Sequence, residues 1–495
     1  MTVLREHFQK LIKEKLGDYR FIVVSNRQPY IHVLKKGKVE WQRGPGGVVA
    51  ALDPLMQACN GMWLALSTGD ADHQAVDQNQ KVQVPPDQPA YTLKRIFLNK
   101  EEEEGYYYGY SNDALWPLCH MAFQRPAFRQ KDWEQYCQVN QKFAKAVMEE
   151  VGQDKAFVWI HDYHLCLLPK YLKQLSANNL IIAHFWHIPW PSFEGFRICP
   201  NKNELLDGLL ANDLLGFHTH YDCYNFLDAV DRLIESKIDR ERFSVIRSNH
   251  ETIIRPYPIS VDFDGITALT QSQEVQQLSL RLREEHSLLD KKLLIGVDRI
   301  DYTKGIPERL LALDRLLDKH PELQEKIVFI QVGVISRLHL QKYKSLNDEI
   351  NALVERVNWK HSTPLWSPII FFRRNLPLKE LLALYRIADV CIVSSLHDGM
   401  NLVAKEFISS RYDERGVLVL SQFTGSAREL KDAILINPFD QEEASEGLYQ
   451  AIALSEEESC RRMKKMRQVI AENTIFHWAQ KMLKDLLKIE FDVER

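Results

Sequence analysis

Residues 390–406 read VCIVSSLHDGMNLVAKE. The unbroken apolar run Val390 to Val393 predicts a buried strand, and the residues from Leu402 onward predict the helix that follows it. Asp398 then falls in the loop at the strand's carboxyl end, with Glu406 one or two turns into the helix. In an open α/β sheet that crevice is where ligands bind. Gly399 permits close backbone approach, and the N–H groups of Asn401, Leu402 and Val403 at a helix start suit an anion. The plain alternative is an acidic N-cap followed by an ordinary helix. This stretch alone leaves both open.

Outward from it, short apolar runs alternate with helical patterns, which predicts parallel sheets built from βαβ units. One series includes Phe21 to Val24, Phe157 to Ile160, Leu180 to Phe185 and Leu214 to Phe217. A second includes Leu293 to Val297, Ile327 to Val332, Ile369 to Phe372, Val390 to Val393, Val417 to Leu420 and Ala433 to Ile436. Between them RPYPISVDF, residues 255–263, loses helical period and carries two prolines, as an interdomain hinge would. The expected architecture is two doubly wound domains, 1–255 and 264–475, facing each other, with a helix over 476–495 that packs back on the first. Residues 68–90, rich in Asp, Gln, Pro and Lys, read as a surface loop.

A chain of 495 residues is too long for one ordinary core and fits two domains. With 45% hydrophobic and 26% charged residues it has a soluble globular composition. A net charge of −4 gives no reason to expect nucleic acid or an anionic membrane as partner. The start, MTVLREHFQKLIKEKLGDYR, lacks a signal peptide's apolar core, and no run is long enough to predict a membrane span. Eight scattered cysteines without a CxxC pair argue against a disulfide framework or structural zinc and favour the cytoplasm. Homo-oligomers remain compatible with all of this.

Several other motifs carry chemistry. SNRQPY places Arg27 at the end of the first strand, and RGPGGVVAAL supplies Gly44, Gly46 and Gly47 before a helix, an entry suited to phosphate but matching neither a Walker motif nor GxGxxG. DRIDYTKGIPERL puts Arg299 and Lys304 on one post-strand loop before a helix, suiting a diphosphate. The alternative is a salt bridge of either cation with Asp298, Asp301 or Glu308. HDYHL and HFWHIPWP gather His161, Asp162, His164, His184 and His187 after successive strands. Without a clear third ligand this is a weak metal site, and no metal is expected. Asp162 and His187 better suit sugar hydroxyls, with His161 and His184 structural. GYYYGYSNDALWP crowds Tyr107 and Trp116 among other aromatics, equally suited to a pyranose or a core.

With SNRQPY, RGPGG, LWP, HDYH, HIPWP, DRIDYTKG and DGMNLVAKE in this order, from about Phe21 to Phe439, the chain resembles the retaining glycosyltransferases of the trehalose-6-phosphate synthase family. That resemblance implies a GT-B fold, with the acceptor held mainly by the N-terminal domain and a nucleotide-sugar donor mainly by the C-terminal one. It implies a hexosyltransferase moving glucose from a nucleotide diphosphate glucose to glucose 6-phosphate, giving α,α-trehalose 6-phosphate, with the nucleotide sugar as co-substrate and no cofactor. Arg299 and Lys304 are implied to bind the donor diphosphate near Gly47, Asp398 the sugar hydroxyls, Met400, Asn401, Leu402 and Val403 backbone contacts, and Glu406 the ribose. For the phosphorylated acceptor it implies Arg27, Tyr107, Trp116, Asp162 and Arg337, with Arg27, Tyr107 and Arg337 around the phosphate and His187 by the donor sugar. Arg299, Lys304, Asp162 and His187 make up the implied catalytic set.

Three departures fall beside these positions: Ala65-Leu66 where Gly-Trp is common, Leu338-His339 where an acidic residue follows, and His397 in place of arginine. They leave glycerol 3-phosphate as a competing acceptor, as in glucosylglycerol-phosphate synthases. The donor base stays open among uracil, adenine and guanine. A catalytically idle sugar-phosphate sensor and a metal-dependent phosphatase using His161 and His164 are the readings from other classes.

Overall fold

The computed structural model describes residues 3–493 apart from 45, 177, 178, 336 and 338, so Pro45 and Leu338 of the motifs above lie outside the described residues. The chain divides into two compact units, Met1–Ile259 with Ile475–Arg495, and Ser260–Thr474. The division at Ile259 falls within RPYPISVDF.

The first unit is built on a ten-stranded sheet. Its parallel strands run Tyr91–Ile96, Met62–Leu66, Arg20–Arg27, Ala156–His161, Leu180–Phe185, Leu214–Phe217 and His250–Pro256 in spatial order. Antiparallel strands flank them, Lys81–Val84 on one edge and Ser244–Arg247 with Lys237–Asp239 on the other. Chain order therefore reverses between Arg20–Arg27 and Ala156–His161, the point at which a doubly wound sheet opens a crevice at its carboxyl ends. The final helix, Ile475–Val493, belongs to this unit: Trp478 stacks on Trp159 with ring centroids 5.0 Å apart and donates to the Tyr257 carbonyl.

The second unit is a six-stranded parallel sheet ordered Ile369–Phe372, Ile327–Val334, Lys292–Arg299, Val390–Val393, Val417–Ser421, Ile434–Ile436. In chain order this is 3-2-1-4-5-6, with the reversal between Lys292–Arg299 and Val390–Val393. Val390 to Val393 are all buried, as strands covered on both faces must be.

The reading of residues 68–90 as a surface loop is corrected. Asp72 is fully buried, and residues 81–84 form an edge strand. The Asp72 carboxylate accepts from Gln28, Ser67 and the backbone amides of His32, Thr68 and Gly69, and pairs with the equally buried Arg95 at 3.1 Å. The polar composition that suggested solvent belongs partly to an internal network.

Candidate active site

In the second unit the loops after strands Lys292–Arg299 and Val390–Val393 lie side by side, because those strands are paired neighbours. The Leu396 amide donates to the Thr303 carbonyl at 2.8 Å. Gly305 has φ +60°, and a Cβ there would overlap the Ser394 carbonyl oxygen, so glycine is what lets the loops close on each other. The result is a Lys304 Nζ to Asp398 Oδ2 contact of 2.5 Å, with the side chains only 13% and 14% exposed. Asp398 Oδ2 also accepts from Ser395 Oγ and Asn401 Nδ2, both at 3.2 Å. Lys304 therefore forms an ion pair, though with none of the three carboxylates its sequence neighbourhood suggested.

Asn401, at φ +80°, caps the helix Leu402–Ser410 by accepting from the Ala404 amide. The first-turn amides of Leu402 and Val403 precede the helix's own ladder and carry its positive end. Met400 is buried, and its carbonyl accepts from the Ser426 amide, while Gly425 abuts Gly399 so closely that a side chain would not fit. Glu406 sits one turn into the helix, half-buried. Arg299 ends its strand, half-buried. Arg337 is buried, donating to Tyr343 Oη at 2.6 Å and Asp301 Oδ2 at 3.2 Å. Burial pushes the Asp301 carboxyl up, but Arg337, Arg299 and Lys304 outweigh it and hold the group below its ordinary range.

Sequence reasoning missed the layer beneath these loops. Arg309, buried, donates to Asp298 at 2.7 Å and to Gln331 and Ser394 at 2.9 Å each, and Ser394 Oγ in turn donates to the Gly305 carbonyl. This arginine ties both loops to the sheet. Its signal was a charge amid the core-facing residues Ile306, Leu310 and Leu313 of the helix Ile306–Lys319.

In the first unit Arg27 ends its strand, and one guanidinium nitrogen donates to Tyr107 Oη at 3.4 Å. Gly46, at φ +118°, turns the chain into the helix that begins at Gly47, beside the Arg27 stem. Gln28, next in sequence, is fixed by Asp72 and Arg95. Tyr107 lies on a stretch, Glu103–Leu115, wound with i→i+5 hydrogen bonds, the last from the Trp116 amide to the Ser111 carbonyl. Such π-helical segments are rare and frequent at functional sites. Tyr106 and Tyr110 are core residues here, whereas Tyr107 is half-exposed and stacks on His164. Trp116 is buried, its ring 4.0 Å from His120 and 5.7 Å from Tyr163.

Across the reversal point, Asp162 stands at φ +76° with its carbonyl accepting from His184 Nε2. His187 is half-buried, its Nε2 3.0 Å from His161 Nδ1. Burial holds both rings well below the ordinary histidine range. The structure thus brings together Arg27 with Tyr107, His187 with His161, and Lys304 with Asp398, while Arg337 lies in the second unit with Asp301. Among the described residues the metal-type grouping is Asp314, Asp318 and His361, where the Lys360 ammonium already sits 2.9 and 2.6 Å from the two carboxylates.

The model of Glycosyltransferase family 20 matches residues 19–488. The chain belongs to glycosyltransferase family 20. It is 35% identical over 481 residues to the UDP-forming alpha,alpha-trehalose-phosphate synthase of Pichia angusta, covering 94% of this chain and 99% of that one. The trehalose-6-phosphate synthase of Mycobacterium ulcerans is 35% identical over 488 residues, covering 97% and 96%. Among solved structures, one from E. coli bound with UDP-2-fluoro glucose matches with a TM-score of 0.82 and 31% identity over 94% of this chain and 99% of that chain. A UDP-forming alpha,alpha-trehalose-phosphate synthase from Burkholderia xenovorans in complex with glucose-6-phosphate gives 0.84 and 29%, with the same coverage. Membership of family 20 and these likenesses agree with the GT-B fold class expected from the motifs, and make the protein a hexosyltransferase.

Proposed function

We propose that the protein transfers glucose from UDP-glucose to glucose 6-phosphate, releasing UDP and α,α-trehalose 6-phosphate with the α configuration retained. The observation that carries this reading is the loop pair of the second unit, where an ammonium, a carboxylate and a helix N-terminus meet at the sheet's reversal point. A cation beside a helix start suits a diphosphate, and a carboxylate beside that cation suits the hydroxyls of the attached sugar. UDP-forming relatives favour uracil over adenine and guanine. Arg299 and Lys304 take the diphosphate near Gly47, and Asp398 the glucose hydroxyls. Met400 to Val403 supply backbone contacts and Glu406 the ribose. Arg27, Tyr107, Trp116, Asp162 and Arg337 take the acceptor, with His187 at the transferred sugar.

In the chemical step the bond from glucose C1 to the diphosphate oxygen breaks as the acceptor oxygen bonds to C1 on the same face. The departing oxygen receives the acceptor proton, so no side-chain base or covalent glycosyl intermediate enters, unlike the paired-carboxylate route of glycosidases. Lys304 and Arg299 stabilise the leaving group as its charge grows. All eight cysteines are unpaired thiols, which supports a cytoplasmic setting.

The test crosses UDP-, ADP- and GDP-glucose with glucose 6-phosphate and glycerol 3-phosphate, reading nucleotide release and the anomeric NMR signals of the product. Trehalose 6-phosphate from UDP-glucose is expected. Product with glycerol 3-phosphate alone would replace the acceptor, and no product with any pair would revive the sensor reading.

A further inference from the structure

His161 is assigned to none of the proposed substrates, yet its imidazole is the hydrogen-bond partner of His187. Each histidine nitrogen is a donor or an acceptor according to tautomer, and the partner of one nitrogen decides the role of the other. His161 is fully buried; its Nδ1 lies 3.0 Å from His187 Nε2, and its Nε2 has no partner among the described residues. One of the two facing nitrogens must bear the hydrogen. If His187 Nε2 donated, the His161 proton would move to the orphaned Nε2 and leave a buried N–H without an acceptor. If His161 Nδ1 donates, Nε2 carries only an unshared lone pair. Buried N–H groups without partners are the rarer state.

We infer that His161 is a positioning residue that fixes His187 as the neutral Nδ1–H tautomer and presents that N–H to the transferred sugar. The inference rests on the placement of His187 under Proposed function. The rest of the surroundings agree with it. His218 Nε2 donates to the His187 carbonyl at 3.0 Å and holds the backbone from which the ring projects. His187 Nδ1 has no protein partner among the described residues and is the nitrogen left for a ligand. Protonating His187 at Nε2 would set two N–H groups head to head. His218, His184 and His164, the other histidines that bear on the ring, are also buried and supply no anion, while the Asp162 carboxylate lies on His164, 3.7 Å from its Nδ1. A neutral ring matters beside a sugar carbon that gains positive charge as the donor bond breaks.

The test uses the full-length protein labelled with 15N in its histidine rings, with His187→Gln identifying the His187 signals. Two-bond proton–nitrogen correlation should show His187 as Nδ1–H between pH 7 and 8; Nε2–H in the wild-type protein would overturn the inference without any further variant. His161→Asn places an amide N–H near the position of Nδ1, whereas His161→Phe keeps the bulk of the ring without a donor. H161N should retain the tautomer and a kcat within about threefold of wild type. H161F should let Nε2–H appear and lower kcat at least about tenfold with the KM for glucose 6-phosphate unchanged, and its activity should fail at higher pH on the acid side. Equal losses in H161N and H161F, at equal melting temperature, would reduce His161 to packing and overturn the inference. Normal turnover in His187→Ala would instead overturn the placement of His187 at the sugar while the tautomer measurement stood.

Discussion

Lys304→Ala tests the proposed chemistry and the packing of the site together. Two separable losses are expected. The first is to stability: Asp398 Oδ2 keeps Ser395 and Asn401 but loses the Lys304 ammonium at 2.5 Å. Breaking a fully buried ion pair costs about 3–5 kcal/mol and an exposed one about 0–1. At 13% and 14% exposure, with two neutral donors remaining, about 2 kcal/mol is expected. For a unit of this size that lowers the melting temperature by about 5 °C. The second loss is to turnover: a donor aimed at growing charge on the leaving group contributes a factor of about 100–1,000. The double variant Lys304→Ala/Asp398→Asn separates them. Neutralising that carboxylate should restore most of the melting temperature; because Asp398 has its own role at the glucose hydroxyls, turnover is compared with that of Asp398→Asn alone, and the double variant should fall about 100-fold below it. Thermal unfolding and UDP release under saturating substrates measure the two quantities. Turnover in the double variant equal to that of Asp398→Asn alone would show that Lys304 serves Asp398 alone and would refute its role at the diphosphate.

Gly305→Ala should lower stability by at least about 1 kcal/mol, from its left-handed backbone plus overlap with Ser394, and should weaken UDP binding measured by calorimetry. Asp72→Asn should destabilise the first unit by about 3–5 kcal/mol in urea melts by stranding buried Arg95. Burial pushes the Asp72 carboxyl up, but the Gln28 and His32 hydrogen bonds and Arg95 together hold it below its usual 3.8. Its stabilisation is therefore full above that pH and disappears as pH falls through the depressed value, so the Asn variant should lose this acid-side slope; an unchanged slope would count against the network. His184 is held by burial at about 4 against its ordinary 6.5. The unfolded chain protonates first, so stability is full above pH 6.5 and falls toward pH 4, by about 3 kcal/mol at about 1.4 per unit. Denaturant melts of His184→Gln should show a shallower decline across that window.

The fold was most legible where strands are covered on both faces. Val390 to Val393 and Leu293 to Val297 are continuous apolar runs, and each lies in a strand of the second sheet. Tyr91–Ile96, absent from the apolar runs named above, carries Lys94 and Arg95 within the strand. Those charges are buried against Glu150 and Asp72, partners far away in sequence that no local window contains. The same reason hid the structure in residues 68–90. At the site, the sequence placed Lys304 and Asp398 after strands of one domain, but their pairing depends on those strands being neighbours across the reversal point. The tautomer partnership of His161 and His187 likewise requires knowing that successive strands carry them side by side.

The π-helical turn over 103–115 has a different kind of consequence, one of chain length. Gly105 and Gly109 face Gln135 and Asp132 of the neighbouring helix with no room for a Cβ, so this segment is held against its neighbour at two points along its length. Removing one residue between Gly109 and Trp116 should let the segment relax toward an α-helix, in which each residue advances the face by about 100°. Tyr107 and Trp116 could not then keep their present directions together. The segment should therefore accept side-chain substitutions at its exposed positions far more readily than a deletion of a single residue, and natural variation at this wall of the site should alter side chains while conserving their number.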